Sequence, residues 1–347
     1  MLLSSSLLSK LPFYFAHCNF DKTPTSTIIS FEIFIGIAAI ASFFVLSKIQ
    51  EKVWLRFILA SVGILIFELF TGPMWHNYHM GKWAYVYRDV SWILTIGWTS
   101  LVVSIVILTD KFFPNLRDIY RFPIYLGILT FISFPLEILV VRMGVRGYAD
   151  ETLSVLSGIK LFDVPIEAIY YIPVFMGLVV SFYKYWSFVL IDDEPLIPLK
   201  HRKWLRSFLL AFLAIFLFEV MIEPMVINER FPNWSYIFHD VSFLMITVWI
   251  LIVGFAAAVI GRYFAYQPIP LRFALAISVT SGLAIPLEAW LIHHNFRIYA
   301  ENVVHEYIGF KLAVLNIPIE LAFGIPLYMA LIIAFIRYWE TVIDNHI

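Results

Sequence analysis

Eight glutamates stand inside or at the edge of long apolar stretches of this 347-residue chain: Glu32, Glu68, Glu137, Glu167, Glu219, Glu223, Glu288 and Glu320. A carboxyl group in such surroundings can hold a proton or accept one, so paired carboxyls suit general acid and base chemistry. Glu137 and Glu288 are the leading candidates for acid and base, with Glu68, Glu219, Glu167 and Glu320 in support. Glu137 and Glu288 come late in their apolar runs, two residues after Pro135 and Pro286. A proline inside a helix removes a backbone hydrogen bond and leaves a polar group to be satisfied. A simpler role competes at Glu167 and Glu320. The stretches Asp163–Glu167 and Asn316–Glu320 read as helix starts, with Asp or Asn as N-cap, proline in the first turn and glutamate at the positive helix end. The same capping reading covers Asp89 and Asp240.

Other side chains accompany these acids. Arg146 and Tyr148 follow Glu137, and Arg297 and Tyr299 follow Glu288, at matching distances. Together with Trp83, Tyr85, Trp234 and Tyr236 they form the candidate substrate-binding set, because ring faces stabilise a cation and arginine pairs with a carboxylate. An interfacial belt of Trp, Tyr and Arg would look the same. Histidines gather nearby (His76, His79, His239, His293, His294, His305), but their spacing matches no zinc signature and the pattern is not repeated along the chain. A single cysteine, Cys18, excludes an internal disulfide and cysteine-based metal sites. No glycine-rich phosphate loop or nucleophile elbow is present. No metal and no cofactor is therefore expected.

The elements that must carry these residues are transmembrane helices. Hydrophobic residues make up 61% of the chain and charged ones 14%, well below the roughly 25% of a soluble domain. A span needs roughly 20 mostly apolar residues. That length fits 27–47, 55–74, 89–109, 122–141, 164–186, 206–226, 240–261, 272–292 and 315–336. The expected class is an all-α polytopic bundle of about nine spans. A formal net charge of −1 argues against nucleic acid as a partner. The first 26 residues read as an interfacial arm. The loop cations favour an outer amino terminus and a cytoplasmic carboxy terminus, in a cell membrane.

Two tandem copies of one text fill most of the chain. LIFELFTGPM (65–74) answers LFEVMIEPM (217–225), WAYVYRDVSW (83–92) answers WSYIFHDVSF (234–243), and FPLE (134–137) answers IPLE (285–288). Glu68, Trp83, Asp89, Glu137 and Tyr148 each recur 151 residues later. The predicted organisation is an arm and first span over 1–53, a four-helix repeat over 54–200 and a second over 201–347. An even number of spans per copy inserts both in the same direction, about an axis along the membrane normal. On these spans every embedded acid falls in the half nearest one membrane face. Ionisable groups at depth are costly unless they face the bundle interior, so a polar pocket is expected there. The opposite half reads as almost free of charge.

Pro135-Leu136-Glu137, Pro165-Ile166-Glu167, Pro286-Leu287-Glu288 and Pro318-Ile319-Glu320, set on tandem membrane helices, resemble the membrane-integral lycopene cyclase domain and the related carotenoid hydratases. The family motif usually doubles its acid, where this chain has Ile138, Ala168, Ala289 and Leu321. The resemblance implies a cofactor-independent enzyme acting on a polyprenyl or carotenoid-like lipid by cyclisation, isomerisation or hydration. Its partners would be a hydrophobic substrate and membrane lipid. A secondary transporter for protons, cations or a small organic solute is the alternative that embedded carboxylates also fit.

Overall fold

The structure, a computed structural model, describes residues 23–192, 203–305 and 307–344. The amino-terminal arm through residue 22, and the repeat boundary near 200, lie outside the described residues. The helices are α1 (Ser26–Ser47), α2 (Val53–Thr71), α3 (Trp92–Phe112), α4 (Asp118–Arg142), the short α5 (Asp150–Val155), α6 (Ala168–Leu190), α7 (Trp204–Ile222), α8 (Phe243–Tyr263), α9 (Ile269–His293), the short α10 (Glu301–His305) and α11 (Ile319–Asp344). Among the described residues nine of these are long and apolar enough to cross a membrane. Their outward faces are greasy: Ile33, Phe34, Ile37 and Phe44 of α1 and Phe131 of α4 are exposed, as expected of residues meeting acyl chains rather than water.

Short strands, not foreseen in the sequence, join the helices at one end. They are β1 (Trp75–Asn77), β2 (Tyr85–Tyr87), β3 (Val90–Ser91), β4 (Arg146–Tyr148), β5 (Lys160–Leu161), β6 (Val164–Pro165), β7 (Val226–Asn228), β8 (Tyr236–Phe238), β9 (Val241–Ser242) and β10 (Arg297–Tyr299). They pair antiparallel as β1–β4, β7–β10, β2–β3, β5–β6 and β8–β9. These hairpins overturn the capping assignments. Asp89 and Asp240 sit in the β2–β3 and β8–β9 turns, and the following helices begin three residues later, after Ser91 and Ser242. Asp163 is a turn residue of the β5–β6 hairpin, where Phe162 and Asp163 both take the left-handed backbone (φ 52° and 74°), the signature of a two-residue primed turn. Asn316 adopts the same backbone, φ 51°, in the corresponding loop.

The two copies pack about a twofold relation visible in individual rings. Phe67 of α2 meets its counterpart Phe218 of α7 at 6.3 Å between centroids. Phe122 of α4 packs on Tyr338 and Trp339 of α11, at 5.4 and 4.8 Å. In return, Phe273 of α9 packs on Tyr185 and Trp186 of α6, at 6.2 and 4.9 Å. α6 and α11 form the centre, and α11 also touches α2 as α6 touches α7. α1 stands outside this pairing. It leans on α3 and seals a small cluster of Ile28, Phe31, Met80, Ala84, Ile93, Leu94 and Val145.

The end opposite the hairpins is not charge-free. Asp118 is 0% exposed and contacts Arg121 at 2.8 Å and Lys184 at 3.1 Å. Asp110 completes the cluster, reaching Arg121 at 2.9 Å and Lys184 at 3.2 Å, and Tyr125 donates to it. Arg206 pairs with Asp344, and Glu340 accepts from Ser207 and Arg337. The expectation failed because α4 begins at Asp118 and α11 runs to Asp344, drawing polar residues read as loop into the helices. Between the two polar ends lies an apolar layer of Met176, Leu178, Val179 and Val180 on α6 and Met329, Leu331 and Ile332 on α11, all buried.

Candidate functional site

The hairpin end builds one polar cluster per copy, by the same local device. α4 ends in a Schellman turn: Gly144, at φ 70°, donates to the Val141 carbonyl, and Val145 donates to Val140. In the second copy Asn295, at φ 56°, donates to Ile292, and Phe296 donates to Leu291. The reversal sends β4 and β10 back over the glutamate on the preceding helix. Residues two apart on a strand share a face, so Arg146 and Tyr148 descend together over Glu137, as Arg297 and Tyr299 do over Glu288. Pairing with β1 places Asn77 opposite Arg146, and β7 places Asn228 opposite Arg297.

In the first copy Tyr148 donates to Glu137 Oε1 at 3.2 Å, and Arg146 Nη1 lies 3.4 Å from Glu137 Oε2. Arg146 Nε donates to Asn77 Oδ1 at 3.0 Å, and the Asn77 amide donates to the Asp89 carbonyl. Arg146 Nη2 is buried with no hydrogen-bond partner among the described residues. Glu68 meets a different environment. Thr95 Oγ1 lies 2.5 Å from Glu68 Oε2 and 3.0 Å from the Ser91 carbonyl. The single Thr95 hydroxyl proton is shared between the Glu68 carboxyl and the Ser91 carbonyl.

Glu68 and Glu137 line a common cavity of about 520 Å³, partly open to the outside. Its walls are Phe67, Trp75, Trp98, Tyr171 and Phe175, with Arg146 and Tyr148 above. The Arg146 guanidinium lies 5.3 Å from the Trp75 ring centre. Met221 of the second copy closes one side.

In the second copy the cluster is closed upon itself. Arg297 contacts Glu288 at 3.0 Å and Glu219 at 3.5 Å, so one guanidinium is held by two carboxylates. Tyr299 donates to Glu288 at 2.5 Å, and Arg297 Nη1 donates to Asn228 at 3.2 Å. Tyr328 stands where the first copy has Phe175, stacked on Phe218 at 4.6 Å and edge-on to Trp249 at 6.2 Å. Ile246 and Gly324 replace Thr95 and Tyr171. Glu288 is 1% exposed. Glu137 and Glu288 therefore belong to separate clusters, each bonded to the arginine and tyrosine of its own copy. The carboxyls that share a cavity are Glu68 and Glu137.

The remaining candidates sit at the margins. Trp83 and Trp234 are 59% and 73% exposed on the hairpins, which fits interfacial anchoring better than contact with a buried ligand. Tyr85 and Tyr236 donate to the carbonyls of Asn77 and Asn228 at 2.7 and 3.0 Å, which fixes the two asparagines. Glu167 and Glu320 accept loop amides, from Ser157 at 2.8 Å and Ile308 at 2.6 Å. Burial raises the Glu167 carboxyl, but the Ser157 donors outweigh it and hold the group below the ordinary carboxylate value. Glu223 pairs with His239 at 3.4 Å, and Asp89 with His76 at 3.0 Å. Among the described residues no group of three or more His, Cys, Asp or Glu is arranged to hold a metal ion. Asn77, Asn228, Thr95, Trp98 and Trp249 were missed in the sequence, although Asn77/Asn228 and Trp98/Trp249 carry the 151-residue spacing. Comparison of the chain with protein-family models, curated proteins and solved structures finds no match.

Proposed function

We propose that this protein is a membrane enzyme that moves a proton onto and off a carbon–carbon double bond of a polyprenyl or carotenoid-like lipid, using Glu68 and Glu137 and no cofactor. The observation that supports this reading is an aromatic-walled cavity offering two unlike carboxyls to one occupant. A neutral hydroxyl meets Glu68, whereas a cation and a phenol meet Glu137. Desolvation favours the protonated form of a carboxyl, and a neighbouring cation favours the ionised one. Glu68 is therefore assigned as the acid and Glu137 as the base. This pairing within one copy replaces the pairing of Glu137 with Glu288.

The proton of Glu68 adds to one alkene carbon, the π electrons form the new C–H bond, and the other carbon becomes cationic. The faces of Trp75, Trp98 and Phe175 stabilise that cation. Glu137 then takes a proton from a neighbouring carbon, whose C–H electrons make the new double bond. If a second alkene attacks the cation first, the same deprotonation completes a ring. Water at the hairpin end returns the proton to Glu68. The Pro-Leu-Glu motif at Glu137 and the resemblance to lycopene cyclase domains agree with this chemistry. The apolar layer across the middle of α6 and α11 favours a one-sided site over a solute route.

The test is lipid extraction and mass spectrometry from a carotenoid-producing host with and without the chain. Wild type yields a product of unchanged mass and altered retention. Glu68→Gln and Glu137→Gln each lower that product by about 100-fold or more, the range for removing an acid or base. An unaltered lipid profile, or full product from both variants, overturns the reading.

A further inference from the structure

The buried ion cluster opposite the hairpins has a counterpart in the second copy, and the two differ in one respect. The cations are kept. Arg121 of α4 matches Arg272 of α9, and Lys184 of α6 matches Arg337 of α11. The anions are lost: Gly261 stands at the place of Asp110, and Ile269 at that of Asp118. Ala276 replaces Tyr125, the phenol that donates to Asp110. Glu340 compensates Arg337. Among the described residues no carboxylate pairs with Arg272. Its Nη1 donates to the Ala265 carbonyl at 3.3 Å, and its buried Nε has no hydrogen-bond partner among the described residues. Arg272 also lies in the first turn of α9, the positive end of the helix, where a cation is poorly placed and an anion is favoured.

A groove of about 770 Å³, part of it open to the outside, lies between α7, α8, α9 and α11, with Arg272, Arg337, Ser207 and Trp204 among its lining residues. Ile269 and Ala276, which replace Asp118 and Tyr125, also face it. The rest of the lining is apolar and includes Phe208, Val253, Ala257, Ile260 and Phe273. Gly254 faces Phe208 so closely that a Cβ there would stand 2.8 Å from its ring.

We infer that this groove is a binding site for an anionic phospholipid, its phosphate against Arg272 and Arg337 and an acyl chain along α8. At Arg272 the lipid phosphate supplies the charge that Asp110 and Asp118 supply to Arg121 in the first copy. A soluble anion would satisfy the arginines but leave the apolar groove unfilled, whereas a neutral lipid would fill it and leave Arg272 uncompensated. The site is independent of the Glu68–Glu137 cavity.

The test is native mass spectrometry of the delipidated full-length protein titrated with dioleoylphosphatidylglycerol or dioleoylphosphatidylcholine. Wild type binds the anionic lipid at least about tenfold more tightly, the worth of one or two charge-assisted hydrogen bonds. Arg272→Gln removes the preference. Ile269→Asp removes it too, by restoring the internal acid three residues before the arginine, as Asp118 precedes Arg121. This second variant also places an acid at a helix start, which favours folding, so a loss of binding there is not a loss of structure. Equal affinities for the two lipids in wild type, or an undiminished preference in Ile269→Asp, overturns the site. Displacement of the lipid by equimolar glycerol 3-phosphate overturns the lipid as occupant.

Discussion

The same two groups, an arginine and a phenol, hold Glu137 at the wall of a cavity and hold its counterpart Glu288 in an ion cluster shared with Glu219. Burial, and then the charge of the adjacent carboxylate, raises Tyr148 and Tyr299 well above the ordinary phenol value of 10. Both therefore stay protonated and donate throughout the neutral range. The sign of the linkage follows. Above pH 10 the unfolded chain releases these phenolic protons and the folded chain keeps them, so stability is intact below that pH and falls as pH rises towards the folded values. Thermal unfolding in detergent should show this alkaline loss. Tyr299→Phe should weaken it, while costing about 1 kcal/mol at neutral pH for the lost hydrogen bond. An alkaline slope unchanged in Tyr148→Phe and Tyr299→Phe would contradict the assignment. At this scale the sequence was informative about charge and poor about partners. Eight embedded glutamates stood out because they interrupt apolar runs. Thr95 did not, because a threonine on a helix is ordinary until its hydroxyl is found facing an acid.

The hairpins turn helix ends into a site. β1 and β4 come from loops 69 residues apart, yet the Asn77–Arg146 register sets the guanidinium over Glu137. Asn77→Ala removes the acceptor for Arg146 Nε and the donor to the Asp89 carbonyl. It should cost about 2–3 kcal/mol for the buried groups left unpaired, with a matching loss of product in the lipid assay as Arg146 loses its anchor. Wild-type stability and turnover in Asn77→Ala would mean that the ribbon does not position the arginine. The last of the nine spans runs eight residues past its expected end, into Asp344. The other eight were legible to within four residues at each end, because length and apolarity suffice to define them. Strands of two or three residues were not, since the alternation that marks a strand needs a longer run. The Asp163 and Asn316 turns were misread as caps for a related reason: Asp and Asn favour both an N-cap and the left-handed backbone of a tight turn.

For the whole molecule, duplication supplies two clusters with different uses. Reciprocal rings such as Phe122–Tyr338 and Tyr185–Phe273 tie the copies together, while the two polar clusters differ in their partners. The repeat was visible in the sequence through its constant spacing. The asymmetry was not, because it rests on replacements such as Phe175 by Tyr328 and Thr95 by Ile246, which read as conservative or neutral in an apolar helix. Glu288→Gln should leave lipid turnover within about threefold of wild type, while lowering the thermal midpoint through the loss of a buried pair. Equal loss of turnover in Glu288→Gln and Glu137→Gln would make both copies reactive. The most direct test of the central claim is labelling of the membrane-embedded protein with dicyclohexylcarbodiimide, which adds to protonated carboxyls reached through an apolar phase, with the sites read by peptide mass spectrometry. The account predicts modification at Glu68 and protection of Glu219 and Glu288. An unlabelled Glu68, or equal labelling of Glu68 and Glu288, would contradict it.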